Sequence, residues 1–409
     1  MLHLARREAV PSPREAELRC KRIFAFAPVP LLLIATACTP SESASVDKTD
    51  IVIAATLELT GSNADVGHAY ENALRLKVDQ INASGAAHQR RLVLRVRDSR
   101  GDPELVTNQI AEFGADASVT AIITGSCSEC VINAATVVNE RAVPTFALAP
   151  ANKVSTPVAE RKFLFKLAPN VDHDAAALYG ELAQQTPTIN SLGLLASSDA
   201  YGTDARDAMT HQLDKSAIKI TVGQFKPTDN DLSPAARAIT LAKPVPEAVV
   251  VMAFPNQATL AISALHAAGY KGKIFLDASA AGPLFLPSAV AAAAENTGLL
   301  FTSTLAIDDL IATTPANAAR KQWFRDYTAR YGSYYAQASF AADAVQLISD
   351  AVIRAGSATN RAAIRDAAES IQFDGLSGPI RMAPDNHSGL MPQSLTMLVA
   401  RGGRWRLVA

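Results

Sequence analysis

The 409 residues are 49% hydrophobic and 19% charged, an ordinary globular composition with enough chain for two cores. The 38 basic and 39 acidic residues leave a net charge of -1, with no basic patch of the kind that binds nucleic acid. Collagen-like, coiled-coil and long disordered classes are excluded by the same composition.

The N-terminus reads as an export signal. Arg19, Lys21 and Arg22 form a basic flank, and residues 23–37 (IFAFAPVPLLLIATA) run apolar. That run is too short to span a membrane, and Pro28 and Pro30 interrupt it. A basic flank, a short apolar run and small residues describe a secretory signal over residues 1–37. Residues 1–18 are long for a leader, so translation is expected to start later. Ala35-Thr36-Ala37-Cys38 resembles a lipoprotein cleavage box, with Ala35 where leucine is usual. Cys38 is therefore the expected lipidation site, followed by a polar tether over residues 38–49. Cleavage removes six basic and three acidic residues, leaving 32 against 36 and a charge of -4. Of the four cysteines, Cys127 and Cys130 then remain, in a compartment where disulfides persist.

Along the mature chain, strand and helix patterns alternate. Residues 51–56 (IVIAAT) are a continuous apolar strand, as a sheet covered on both faces requires. Val66, Ala69, Tyr70, Ala73, Leu74, Val78 and Ile81 repeat at helical spacing over about 64–83. Residues 91–97 alternate as a strand. Asp102 then caps a helix with Pro103 in its first turn. A strand at 119–124, a helix at 128–141 and a strand at 142–148 complete one doubly wound α/β series. The pattern restarts with a strand at 163–167. Helices at 172–185, 203–214, 232–242 and 256–268 alternate with strands at 191–196, 218–225, 248–253 and 273–276. Residues 315–370 are mainly helical, and short runs at 380–382, 395–400 and 405–408 read as late strands that cover an edge. This is too much for one sheet, so two lobes are expected.

A search for catalytic patterns is unproductive. The seven histidines include no His-Glu-x-x-His pair, and there is no Gly-x-Ser-x-Gly elbow or phosphate-binding glycine loop. Asp172-His173-Asp174 reads as helix capping rather than a metal site. Cys127 and Cys130 bracket a helix start. A redox pair, a static disulfide and two unpaired thiols all remain open, with redox chemistry disfavoured by the position after the third strand. Binding chemistry fits better. Ligands of doubly wound sheets sit beyond the strand ends. There, residues 59–63, 125–128 and 148–152 are small or polar, so that main-chain N–H groups and the Ser128 hydroxyl are expected to face a ligand.

These residues resemble a family. IVIAATLELTGSNADVGHAYENALRLKVDQINASG is similar to the opening of periplasmic leucine/isoleucine/valine-binding proteins, the type I solute-binding proteins of ABC importers. Arg97-Asp98 with Asp102-Pro103, IITG at 122–125, NERAVP at 139–144, DAYG at 199–202, AAG at 267–269 and FDGLSGP at 373–379 follow in order. The resemblance implies two Rossmann-like lobes joined by a three-strand hinge, with crossovers near 168–170, 303–306 and 378–380. Lobe 1 would hold residues 50–168 and 305–379, and lobe 2 residues 169–304 and 380–409. It also implies ligand contacts at Ser128, Ala149, Ala151, Tyr201 and Phe254, with Asp277 as the nearest candidate for the acid that grips a ligand ammonium. Pro150 and Ala151 replace residues that supply polar contacts in the family, which weakens that wall, and the resemblance puts Ala278 where the acid stands, with Asp277 one residue early, so an ordinary branched amino acid is not the expected ligand. The expected partners are a small polar solute (amino acid, amide or carboxylate), ABC permease subunits and, through the lipid anchor, a membrane. No cofactor, metal, nucleic acid or enzymatic activity is expected. A ligand-sensing subunit of a signalling system is the alternative. It would want a signalling helix or kinase module, and none precedes Ala409.

Overall fold

The computed structural model describes residues 49–88, 90–214 and 216–408. The expected signal sequence, Cys38 and nearly all of the expected tether lie outside those residues. Among the described residues no helix is long and apolar enough to cross a membrane.

The first sheet is built from β1 (Ile51–Leu57), β2 (Leu92–Asp98), β3 (Val119–Thr124), β4 (Thr145–Ala147) and β5 (Leu164–Lys166), in the order β2-β1-β3-β4-β5. All its pairings are parallel. Every residue of β1 and β3 is buried, which explains their unbroken apolar runs. The crossovers are α1 (Ala64–Ser84), α2 (Pro103–Ala115) and α3 (Ser128–Arg141). Asp102 caps α2 as expected, accepting the amides of Glu104 and Leu105. β4 is shorter than the expected 142–148. Ala142 instead closes α3 in a left-handed conformation, φ 47°, and its amide bonds back to Asn139 O.

The chain then enters α4 (Val171–Ala183) and the second sheet, β6 (Ser191–Ser197), α5 (Ala200–Leu213), β7 (Lys219–Phe225), α6 (Ser233–Thr240), β8 (Ala248–Met252), α7 (Pro255–Ala267), β9 (Lys273–Leu276), the short α8 (Ser288–Ala291) and β10 (Gly298–Thr302). After α9 (Pro315–Tyr331), α10 (Ala338–Ala355) and α11 (Arg361–Ala368), a hairpin of β11 (Gln372–Asp374) and β12 (Pro379–Arg381) leads to β13 (Leu395–Arg401) and β14 (Arg404–Leu407). The second sheet runs β14-β13-β10-β9-β8-β6-β7, with β13 antiparallel to both of its neighbours and every other pairing parallel. α10 returns to pack on α1, so the chain passes between the layers of the two sheets after β5, after β10 and after β12. The protein is a two-lobed α/β fold.

Two helix starts differ from the sequence expectation. α4 is capped by Asn170, whose side chain accepts the Asp172 amide at 3.0 Å, so Asp172 and Asp174 are not the cap. α5 begins at Ala200 rather than 203, capped by Asp199. Position 202 takes glycine because a Cβ there would come within 2.1 Å of Ser197 O. The same reasoning holds at Gly67 in α1, where a Cβ would lie 1.9 Å from Glu58 O. Gly67→Ala must push α1 away from the end of β1. It is expected to cost about 1–3 kcal/mol, read as a lowered denaturation midpoint in urea.

Candidate functional site

The sequence-derived candidates fall into two groups, one at the C-terminal end of each sheet. On the first sheet Ser128 opens α3, and its Oγ accepts the Ala151 amide at 3.2 Å. Ala149 and Ala151, in the loop after β4, are fully buried. Tyr70 of α1 anchors that loop by donating its hydroxyl to Leu148 O at 3.2 Å. On the second sheet Tyr201, in the first turn of α5, donates its hydroxyl to Asp277 Oδ2 just beyond β9. Its ring meets that of Phe254, the N-cap residue of α7, at a centroid distance of 5.2 Å.

The two groups face each other. α3 packs against α5, the helices that begin at Ser128 and beside Tyr201. The Asn152 amide donates to Asp204 Oδ2 of α5 at 2.7 Å, and Asn256 Nδ2 of α7 donates to Ser62 O at 3.0 Å. The walls are therefore in contact, with the lobes closed on one another.

The first wall is less open to an anion than the sequence suggests. The amides of Ser126 and Cys127, expected to face a ligand, donate to the Glu58 carboxylate at 3.1 and 2.9 Å. Glu58 is buried, and that burial raises its pKa against the lowering effect of those amides. A Cβ on Gly125 would lie 2.1 Å from Glu58 Oε2, so the glycine leaves room for this internal carboxylate. Cys127 and Cys130 are disulfide-bonded, which resolves the question the sequence left open. The bridge straddles Ser128 at the start of α3.

Two further charged residues lie near the cleft. Lys166 ends β5 yet is fully buried, donating from Nζ to Pro150 O at 2.8 Å and Ala151 O at 3.3 Å. Burial lowers its pKa to about 8, opposed by the charges of Asp174, Asp204 and Asp172. Asp174, one turn into α4, is only 2% exposed, and the main-chain N–H of Ala278 is the hydrogen-bonding group beside it. Burial raises its pKa strongly, Asp277 adds to the effect and Lys166 opposes it. Asp277 is also 2% exposed, and burial raises its pKa to about 7 against the lowering effect of the Tyr201 hydroxyl and the main-chain N–H groups of Ala280, Ser279 and Ala253. Sequence reading missed Glu58, Lys166 and Asp174 as members of this site. The only signal was a lysine at the end of an otherwise apolar strand.

Comparison with known proteins agrees with this architecture. The family model described as "Periplasmic binding protein" matches residues 50–403. Among curated proteins no sequence match was found. An extracellular ligand-binding receptor from Rhodopseudomonas palustris HaA2 is 22% identical, with a TM-score of 0.76, covering 88% of this chain and 99% of its own. A leucine-binding protein from Thermotoga maritima MSB8 is 19% identical, with a TM-score of 0.74 over 88% of this chain and 98% of its own. An ABC-transporter solute-binding protein from R. palustris, solved with benzoate, is 15% identical, with a TM-score of 0.74 over 87% and 94%. These likenesses are of fold, whereas the family match spans nearly the whole described chain. The chain belongs to the periplasmic binding protein family, a family of exported ligand-binding proteins.

Proposed function

We propose that this protein is an extracytoplasmic solute-binding lipoprotein of an ABC importer, anchored through Cys38, that captures a small polar solute by closing its lobes. Ser128, Ala149 and Ala151 would form one wall of the cleft, and Tyr201, Phe254 and Asp277 the other. The lobes would comprise residues 50–168 with 305–379, and 169–304 with 380–409, moving about the three crossovers. The closed form is what permease subunits would engage. The main support is the placement of the two candidate groups on different sheets, facing each other across walls that touch at Asn152–Asp204 and Asn256–Ser62. Benzoate and leucine named with two fold relatives fit a small-molecule cleft.

The test is mass spectrometry of the solute released from natively purified protein, with small-angle scattering before and after its removal. A stoichiometric small molecule and expansion on stripping are expected. Protein that carries no solute, binds none from a metabolite library and keeps one radius of gyration would overturn the reading.

A further inference from the structure

We propose that Gln337 is the positioning residue that ties the two lobes together around a captured solute: it fastens the loop that bears Asp277 to the start of α10, and its loss shortens the stay of a bound solute. The inference rests on the solute-binding function proposed above and names a residue, outside the candidate walls, through which that function acts.

Gln337 has no local task in its own helix. It stands at the N-cap of α10, where Ser, Thr, Asp or Asn would bond the first free amides, and its side chain makes no cap bond. Its Nε2 donates instead to Ser279 O at 3.4 Å and to Ala281 O. Those carbonyl groups lie two and four residues beyond Asp277, in the loop that follows β9. α10 packs on α1 of the first sheet, whereas β9 belongs to the second, so these bonds join elements of the two sheets. The main chain extends the link. Pro283 and Tyr335 form an antiparallel bridge, in which the Ala336 amide donates to Gly282 O at 2.9 Å and the Leu284 amide to Tyr334 O at 3.1 Å.

Burial sets this link apart from the other contacts between the walls. Gln337 is 3% exposed, and Ala281 and Ala336 are fully buried, so water does not compete for the bonds. The Asn152–Asp204 and Asn256–Ser62 contacts use exposed or partly exposed side chains that water can serve instead. At its other end the same loop is held by α5, through the Tyr201 hydroxyl on Asp277. Asp277 therefore cannot leave with α5 as the lobes part until the bonds to Gln337 break. Entry of a solute does not need them, because they form only once the walls meet. Release requires that they be broken, which places the effect on the rate of dissociation.

The experiment compares Gln337→Met, which keeps the volume and drops the donor, with the parent, both as natively purified full-length mature protein. Hydrogen exchange read by mass spectrometry follows the peptides over residues 278–286 and 333–340. The small molecule carried through purification is followed by its own mass peak across timed gel filtrations. In the variant both peptides are expected to exchange about tenfold faster, β3 and β6 to exchange as in the parent, and the carried molecule to be lost about tenfold faster. Gln337→Asn, whose amide is one methylene short, serves as the second variant should Gln337→Met not fold. Unchanged exchange in the two peptides, or an acceleration shared by β3 and β6, would overturn the inference. Faster exchange with unchanged retention of the carried molecule would overturn it too. Each of these results leaves the solute-binding reading intact. Absence of a carried molecule from parent and variant alike, with none taken up from a metabolite library, would overturn it together with the proposed function.

Discussion

Replacing Lys166 with methionine is expected to destabilise the protein by about 2–4 kcal/mol at pH 9.5, and by less at pH 7, because it strips the donor from two buried carbonyl groups. Those groups are Pro150 O and Ala151 O, and the ammonium that serves them is fully buried. Methionine fills a similar volume, so the loss reports the hydrogen bonds rather than a cavity. The effect should depend on pH in a definite direction. Burial lowers the native amine's pKa to about 8, below the ordinary lysine value of 10.5. Keeping it charged therefore costs native stability below pH 8, and that cost fades as pH rises toward the unfolded value. The deficit of Lys166→Met relative to the parent should grow between pH 7 and 9.5. Urea midpoints across that range measure it. A variant equal to the parent at every pH would show that Lys166 does not hold the loop after β4.

Asp277→Asn should act in the opposite sense on the ligand-free protein. The carboxyl is raised from 3.8 to about 7 by burial. Above pH 7 both native and unfolded states are ionised, and the native state bears the whole desolvation cost. Below pH 4 both are neutral and the cost vanishes. At about 1.36 kcal/mol per unit, the amide should stabilise the stripped protein by up to roughly 4 kcal/mol at pH 8, and by nothing near pH 4. Asparagine keeps an oxygen for the Tyr201 hydroxyl to bond, so that contact survives the exchange. Melting temperatures from pH 4 to 8.5 check this, and a gain that does not vary with pH would contradict it. Stability gained by removing a charge is the mark of a group retained for binding rather than for folding.

The alternation of strands and helices was legible because its cause is local. Parallel strands covered on both faces must be apolar throughout, as β1, β3 and β8 are. Helix caps were legible where one capping residue stood alone, as at Asp102, and misread where Asn170 and Asp172 competed two residues apart. Tyr201 and Phe254 could be placed by resemblance, and they do touch. The charged groups of the cleft could not. Glu58 follows and Lys166 ends an otherwise apolar, buried strand, and Asp174 sits on the buried side of α4 beside the exposed Asp172. What makes each one notable is its tertiary neighbour: two amides, two carbonyl groups, or a second buried carboxyl. No periodicity encodes that. The expectation of open main-chain donors at α3 failed for the same reason, since the competing carboxylate comes from residue 58, outside the helix.

The bridge between Cys127 and Cys130 has a practical corollary for anyone producing this protein. Material made in a reducing cytosol would carry two thiols at the head of α3, where a helix terminus favours the thiolate and alkylating or metal reagents find a target. Exported material would carry an inert cystine. Two batches of identical sequence would then differ chemically at the very turn that presents Ser128, so affinities should be compared only after their oxidation state has been matched.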